Sequence, residues 1–220
     1  MVKAQKKSGQ RPSQEVDAGE DTTNRIVSAA TRLFAERGYE GTSTKEICDA
    51  AGVNIAAIHY HFDSKENLYR HIIERFMLAK LDSARQILQI PRNPDDLRVR
   101  LEIFLRDTLE SCIAEPDLFI ITQREMELCH ARSESVFRNT MLKRIQKLIE
   151  FFAQAKKHKL IAPDVEPIFA ARALMTQLIQ QLRFDRVMKK YFGHSFQDEE
   201  YRDRWLKHTL RMFLGGVVEK

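Results

Sequence analysis

The stretch 42–65 constrains the fold of this 220-residue chain more than any other part of it. Ser43 can cap a first helix, and Glu46, three residues later, completes a capping box. Gly52 follows where a left-handed residue would end that helix, and Asn54 is a good N-cap for a second one. The spacing therefore predicts two short helices joined by a tight turn, which is a helix-turn-helix.

The second of these helices has a predictable orientation. Ile58 and Phe62 are four residues apart, so they share the face that packs on the core. Ala56, Ala57 and Tyr60 then point away from the core. Two small side chains and one aromatic hydroxyl allow close approach to a flat partner, and the major groove of DNA admits such a helix. An ordinary helical hairpin without a nucleic-acid partner is the alternative interpretation.

A third helix is predicted to start directly after this pair. Asp63 or Ser64 can cap it, and Lys65 falls in its first turn, where a positive charge opposes the helix dipole. Backbone N–H groups at a helix start already attract anions. A lysine beside them therefore indicates a phosphate clamp.

The N-terminal residues resemble the TetR-type bacterial transcriptional regulators. That family has a helix ending in Phe-x-x-x-Gly-Tyr, then Thr-x-x-x-Ile, Ala-Gly-Val, an aromatic-rich recognition helix ending in Phe, and Ser-Lys-Glu-x-Leu. The corresponding segments of this chain are 34–39, 43–47, 51–53, 60–62 and 64–68.

The resemblance implies which side chains contact DNA. It places five residues at phosphates, namely Thr44, Lys45, Tyr60, His61 and Lys65. It places four at base edges, namely Ile55, Ala56, Ala57 and His59. Two of them depart from the family pattern, since His59 replaces a usual tyrosine and Ile55 a common polar or basic residue. Ile55 also falls on the stripe of Ile58 and Phe62, so both a core and a base-facing position remain open.

Composition bounds the class of protein. Eight glycines and six prolines, set against long stretches of helix-forming residues, indicate an all-α chain. An odd count of three cysteines without a Cys-x-x-Cys spacing favours a reducing compartment. The sequence shows neither a long apolar run nor a signal-type segment, so we expect a soluble, cytoplasmic protein with no membrane partner.

The net charge of +5 suggests an anionic partner, but the excess is not in the helix-turn-helix region. Residues 22–75 contain seven basic and seven acidic side chains. Specific DNA binding is therefore expected to depend on a few placed residues more than on the bulk field.

The predicted domain organisation has three parts. Residues 1–21 form a disordered arm, whose basic tip either reaches DNA or is a solvated tail without a role. Residues 22–79 form the DNA-binding domain, with a first helix over about 22–37. Residues 80–220 form the ligand-binding and dimerisation domain, and a connecting helix over about 65–90 joins the two.

The C-terminal part is predicted to be an antiparallel helical bundle. Breaks are expected at Glu115–Pro116, Ala162–Pro163 and Gly193–His194. Helices are predicted near 95–114, 117–131, 134–159, 164–191 and 198–215. The resemblance implies that the last two pair with those of a second chain, and their surplus of apolar residues also predicts a homodimer. The residues that carry this prediction are Ile168, Phe169, Leu174, Leu178, Ile179, Leu182, Trp205, Leu206, Leu210, Met212, Phe213 and Leu214.

Neither a metal site nor an active site is predicted. His59 and His61 are two apart on a helix and diverge, and the adjacent Cys129 and His130 diverge as well. The sequence has no Gly-x-Ser-x-Gly motif and no glycine-rich phosphate loop. We therefore expect no cofactor and no enzymatic activity.

A small-molecule pocket in the bundle is the better candidate, because it needs apolar walls with a few convergent polar groups. Phe104, Thr108 and Cys112 share one helix face, and Gln123, Met126 and His130 share another. Phe152, Met175 and Gln177, with Phe151, would close the pocket from two further helices. The alternative is that these are ordinary core residues and a satisfied histidine.

These observations predict a homodimeric, sequence-specific transcriptional regulator. It would bind a near-palindromic operator in double-stranded DNA and act as a repressor that a small-molecule effector releases. A ligand-independent architectural or replication-linked DNA-binding protein of the same build is the alternative. A helical interaction module or an enzyme with a coincidental hairpin is the third hypothesis. The effector, the operator and the sign of regulation remain open.

Overall fold

The computed structural model describes residues 13–128 and 131–215, with side chains from residue 20 onward. This part of the chain is helical and has no strand, which confirms the all-α prediction. The helices are α1 (Ser13–Arg37), α2 (Thr44–Ala51), α3 (Ile55–Phe62), α4 (Lys65–Ile87), α5 (Pro94–Ala114), α6 (Pro116–Leu128), α7 (Ala131–Asn139), α8 (Met141–Lys157), α9 (Pro167–Phe192) and α10 (Glu199–Gly215). The chain divides into two compact units. The first ends at Ile72 and the second begins at Ile73.

The first unit packs α1, α2, α3 and the start of α4 around one small core. Ile26, Ile47, Ile58 and Leu68, one from each helix, have no exposed surface. Each such side chain contributes roughly 1.5–3 kcal/mol to folding. The short helices α2 and α3 would be marginal alone, so this shared core holds them in place.

Helix α1 is longer than the sequence predicts. It begins at Ser13, whereas we expected residues 1–21 to be a disordered arm and the helix to start near Thr22. Extending an existing helix needs no new nucleus, so a helix that forms over 22–37 can continue toward its N-terminus. Residues 1–12, which include the basic tip, lie outside the described residues.

The second unit has its core between α5, α8, α9 and α10. Fully buried members include Leu101 of α5, Phe152 of α8, Leu174 of α9 and Leu206 of α10, each at most 1% exposed. Helix α8 packs on α9, and α5 packs on both α9 and α10. Within the described residues no helix is both long and apolar enough to cross a membrane.

Two helix boundaries in the second unit correct the sequence prediction. The stretch 134–159 is two helices, α7 and α8, because the chain turns at the buried Thr140, whose hydroxyl donates 2.7 Å to the Val136 carbonyl. Helix α4 ends at Ile87, three residues before the predicted end at 90, since Pro91 disfavours helical geometry in the residue before it. The predicted breaks before Pro116 and at Gly193 are confirmed.

Candidate nucleic-acid interface

The start of α2 is fixed by the predicted capping box. Ser43 Oγ accepts from the Glu46 N–H at 3.2 Å, and the Ser43 N–H donates to Glu46 Oε2 at 2.8 Å. The hydrogen bond from the Ser43 backbone, the Ser43 hydroxyl and the guanidinium of Arg37 together hold the pKa of Glu46 below its usual range. This cap orients the first turn of α2, in which Thr44 is half-buried and Lys45 is exposed.

The turn between α2 and α3 depends on a glycine and on an arginine that the sequence analysis missed. Gly52 has φ 64° and ψ 41°, in the left-handed region, as predicted. Arg25 of α1 donates from Nη2 to the carbonyls of Ala51 at 2.6 Å and of Gly52 at 2.9 Å. A cationic donor at these carbonyls complements the negative end of α2. No local spacing signals this bond, because its partners are 26 residues apart.

Helix α3 presents the face that the sequence predicts. Asn54 Oδ1 accepts from the Ala57 N–H at 3.0 Å and caps the helix, while Ile58 and Phe62 are buried. On the outer side Ala56 and His59 are exposed, and Tyr60 is 86% exposed.

Ile55 is the first residue of α3. Its side chain is 48% exposed, so it is not part of the core and the buried stripe of α3 begins at Ile58. Ala57 is only half-buried and sits at the edge of the outer face. The DNA-contacting roles of Ile55, Ala56 and Ala57 stay predictions.

Lys65 is not the free phosphate clamp that we expected. Its Nζ donates to the carbonyls of Tyr39 at 3.0 Å and Thr42 at 2.9 Å, and it lies 4.0 Å from the centroid of the Tyr39 ring. Two of the three ammonium donors are therefore used inside the unit. The lysine is tolerated in the first turn of α4 because it satisfies the carbonyls of the loop between α1 and α2.

The two histidines of α3 differ in their surroundings. His61 is half-buried, and its Nδ1 lies 3.2 Å from the hydroxyl of Thr23 in α1. His59 is exposed, with Nδ1 2.8 Å from the Asp63 carbonyl. The phosphate contact of His61 and the base-facing role of His59 both stay predictions.

Part of the predicted ligand pocket is a buried cluster in the second unit. Phe104, Thr108 and Cys112 are all buried on one face of α5. Burial raises the pKa of the Cys112 thiol to about 11. The sequence analysis missed Arg144 of α8, whose guanidinium carbon lies 4.9 Å from the Phe104 ring centroid and whose Nη2 donates to Thr108 Oγ1.

Phe152 and Met175 are also inward-facing, as expected. Phe152 is fully buried in the core of the second unit, and Met175 packs partly buried against that core. Their buried positions agree equally with a pocket wall and with an ordinary core, so their role in ligand binding stays a prediction.

Other predicted pocket residues do not join the cluster. Gln177 is exposed, because Leu174 and Leu178 set the buried face of α9 and Gln177 lies beyond its edge. Met126 is also exposed, and Gln123 Nε2 lies 3.9 Å from its sulfur on the same helix. His130 lies outside the described residues, as does Cys129.

An open groove of about 400 Å³ lies elsewhere in the second unit, between α4, α7 and α8. It has four basic lining residues and one acidic one, and none of the predicted ligand residues lines it. Its lining consists of Leu81, Arg85, Arg138, Leu142, Lys143, Gln146, Lys147 and Glu150.

The predicted dimer surface is also partly corrected. Leu174, Leu178, Leu206 and Leu210 are buried in the core of the second unit and cannot face a partner. Ile168, Phe169 and Met212 are exposed as expected. Four further exposed apolar residues of α9 were not predicted, namely Phe184, Val187, Tyr191 and Phe192.

Comparison with known proteins identifies the first unit. Residues 26–72 match the family described as bacterial regulatory proteins, tetR family. The first unit therefore carries a tetR-family module. The matched segment begins in α1 and ends in α4, so it includes the whole helix-turn-helix with its capping box and turn glycine.

Two relatives of this chain are named as transcriptional repressors. The repressor KstR2 of Rhodococcus jostii is 28% identical over 53% of this chain and 55% of its own length. The repressor AcnR of Corynebacterium glutamicum is 36% identical over 40% of this chain and 53% of its own length. The chain thus matches about half the length of these relatives.

A solved structure extends the likeness to the whole fold. KstR2 of Mycobacterium tuberculosis, a ketosteroid transcriptional regulator, has a TM-score of 0.71 and covers 97% of this chain and 99% of its own, at 20% identity. At this identity the likeness shows the architecture alone.

Proposed function

We propose that this chain is a DNA-binding transcriptional regulator that reads the major groove with α3. The main support for this proposal is that α3 has one buried face and one exposed face. Its inner face is locked by the buried Ile58 and Phe62, and its outer face leaves Ala56 and Tyr60 exposed. Rigid placement of a helix with a small outer face is what groove insertion requires. The names of KstR2 and AcnR, both transcriptional repressors, support the same function.

The regulator works as a homodimer through α9 and α10 in this proposal. Phe169, Phe184, Tyr191 and Phe192 of α9 are each more than half exposed, as is Met212 of α10. Large apolar side chains in this number on two helices are typical of an interface. A two-fold dimer would read two half-sites, so the operator would be near-palindromic.

Release from DNA is proposed to follow when a small molecule binds in the second unit. The support is the cluster of Phe104, Thr108, Cys112 and Arg144, which combines apolar walls with a few polar groups. The effector must bind the DNA-free state more tightly than the DNA-bound state, typically by 1–3 kcal/mol.

Selection of bound fragments from a random DNA pool, followed by an electrophoretic shift, tests the proposal. We expect enrichment of a near-palindromic sequence whose binding weakens steeply with salt. Recovery of no preferred sequence would leave a non-specific or non-DNA-binding helical protein, and the proposed function would be wrong.

A further inference from the structure

Arg144 is a charged side chain in the interior of the second unit. It is 6% exposed, and its guanidinium stacks over Phe104 with 4.9 Å between the guanidinium carbon and the ring centroid. Burial lowers its pKa, which reflects the difficulty of keeping a cation away from water. The effective penalty for burying an ion is several kcal/mol unless a partner compensates it.

The surroundings compensate this cation only in part. Nη2 donates to Thr108 Oγ1, and that hydroxyl in turn donates 2.7 Å to the Phe104 carbonyl. Nε has no hydrogen-bond partner in the described part of the chain. Asp107 attracts the guanidinium, but this attraction and that of Cys112 do not offset the effect of burial on the pKa of Arg144.

The neighbouring thiol does not supply the missing negative charge. Burial raises the pKa of Cys112 to about 11, although the positive charges of Arg144 and Lys80 oppose that rise. The thiol therefore stays protonated and neutral near pH 7. Lys80 is itself close by, since its Nζ donates to the hydroxyl of Ser111 on α5. Among the described groups that shift the pKa of Cys112, Arg144 and Lys80 are positive and Asp107 is negative.

We propose that Arg144 binds the carboxylate group of the effector, which makes the effector an organic acid. This inference rests on the proposed function, because it specifies the chemical class of that ligand. A guanidinium presents its N–H donors in a planar fork that matches a carboxylate, and Nε is still free to donate. The Phe104 ring beside it makes the surroundings of the guanidinium apolar.

The proposal has a consequence for the ligand-free protein. If the function of Arg144 is to bind a ligand, Arg144→Met removes a charge that the ligand-free protein compensates only in part. The methionine that replaces it is apolar and of similar length. The melting temperature should then stay unchanged or rise. If Arg144 is only structural, the same variant should lower the melting temperature.

Arg202 provides the matched control. Its Nε also lacks a hydrogen-bond partner in the described residues, but its Nη1 donates to the carbonyls of Phe196 at 2.7 Å and Gln197 at 3.3 Å. Arg202→Met therefore removes an arginine with a clear structural role. We expect this variant to melt at a lower temperature and to keep the wild-type response to acids.

The experiment measures melting temperatures of full-length wild type, Arg144→Met and Arg202→Met without DNA. Each protein is titrated with sodium acetate and sodium hexanoate against sodium chloride of equal ionic strength. Hexanamide and inorganic phosphate serve as the uncharged and the non-carboxylate comparison. We expect hexanoate to raise the melting temperature of wild type and Arg202→Met by about 2–4 °C, hexanamide to have no such effect, and Arg144→Met to lose the response.

Several results would overturn the assignment. These are a destabilised Arg144→Met, an acid response that survives in Arg144→Met, equal effects of hexanoate and hexanamide, stabilisation by phosphate alone, or no stabilisation by either carboxylate. The DNA selection described above is separate from these measurements. If the wild-type protein bound no preferred DNA sequence, the proposed function would be wrong. If it bound a preferred DNA sequence but hexanoate did not raise its melting temperature, only this inference would be wrong.

Discussion

Lys65 Nζ lies 2.9 Å from the carbonyl oxygen of Thr42, 23 residues earlier in the chain. The bond ties the first turn of α4 to the loop between α1 and α2. Thr42 is itself buried, and its hydroxyl donates to the carbonyl of Gly38 at 2.9 Å. The loop before the helix-turn-helix is therefore held from both sides, and Lys65 has a structural function.

Lys65→Met and Lys45→Met should therefore have different effects. Lys65→Met leaves the carbonyls of Tyr39 and Thr42 without their cationic donor and should destabilise the protein by about 1–3 kcal/mol in chemical denaturation. Lys45 is exposed, so Lys45→Met should leave stability unchanged, weaken binding to all DNA sequences alike and reduce the salt slope by about 0.9. A wild-type denaturation midpoint for Lys65→Met would show that the bond is energetically neutral.

The turn between α2 and α3 allows a test that separates two sources of strain. Gly52 and Gly193 both have positive φ, at 64° and 71°, but only at Gly52 would a Cβ meet another atom, Arg25 Nη2 at 2.8 Å. Gly193→Ala should lower the free energy of unfolding by about 1 kcal/mol, because alanine is strained in the left-handed backbone conformation. Gly52→Ala should lower the free energy of unfolding further, because Arg25 must also move and its hydrogen bonds to the carbonyls of Ala51 and Gly52 weaken. Equal losses by calorimetry would mean that Arg25 adapts freely.

These two cases show how much of the module could be predicted from sequence. Ser43 caps α2 by accepting from the Glu46 N–H, and Asn54 caps α3 by accepting from the Ala57 N–H. Each bond spans three residues, so the local sequence is sufficient to predict it. The bonds of Arg25, Lys65 and Arg144 join residues 26, 23 and 36 positions apart. Helical periodicity indicates which face is buried, but it does not indicate which side chain of another helix meets that face.

The same limit explains the mixed outcome in the second unit. The spacing of Phe104, Thr108 and Cys112 placed them correctly on one buried face. The prediction that Gln177 faces the pocket was wrong. Helix α9 has apolar residues on more than one face, and the sequence does not indicate which of these faces packs on the core. Leu174 and Leu178 proved to be the core side of α9.

Acid should weaken the fold partly through Glu46. Its pKa is lowered in the folded state, chiefly by the hydrogen bond from the Ser43 backbone. The unfolded state therefore binds the proton more tightly, and the stabilisation is complete above the unfolded pKa and lost as the pH falls through the folded one. Glu46→Gln should make the melting temperature fall less between about pH 5 and pH 3.

Asp96 gives an independent measure of the same effect in the second unit. The hydrogen bond from the Arg92 backbone, followed by that from Arg100, lowers its pKa. Asp96→Asn should reduce the acid sensitivity of the second unit in the same pH window, with the same sign. Unchanged pH profiles in both variants would show that other carboxylates dominate acid unfolding.

The dimer proposal predicts a charge-sensitive surface on α9. Tyr191 is 67% exposed, so Tyr191→Glu should leave the fold intact but place a carboxylate in the interface and shift the protein to monomer in light scattering. Leu78 of α4 is 41% exposed, and Leu78→Glu serves as the control, since it removes an exposed apolar side chain outside α9 and α10. A dimeric Tyr191→Glu would place the interface elsewhere.

Ala56→Glu tests the orientation of α3 on DNA. The side chain is exposed in the first turn of the helix, where a carboxylate complements the helix dipole, so the fold should not be weakened. Against base edges and phosphates the same carboxylate is repelled, and specific binding should fall at least tenfold. Ala79→Glu puts the same group at an exposed position of α4 and should bind as wild type does. Because both variants change the net charge equally, any difference in electrophoretic shift comes from position alone. Wild-type affinity of Ala56→Glu would show that the outer face of α3 does not enter the groove.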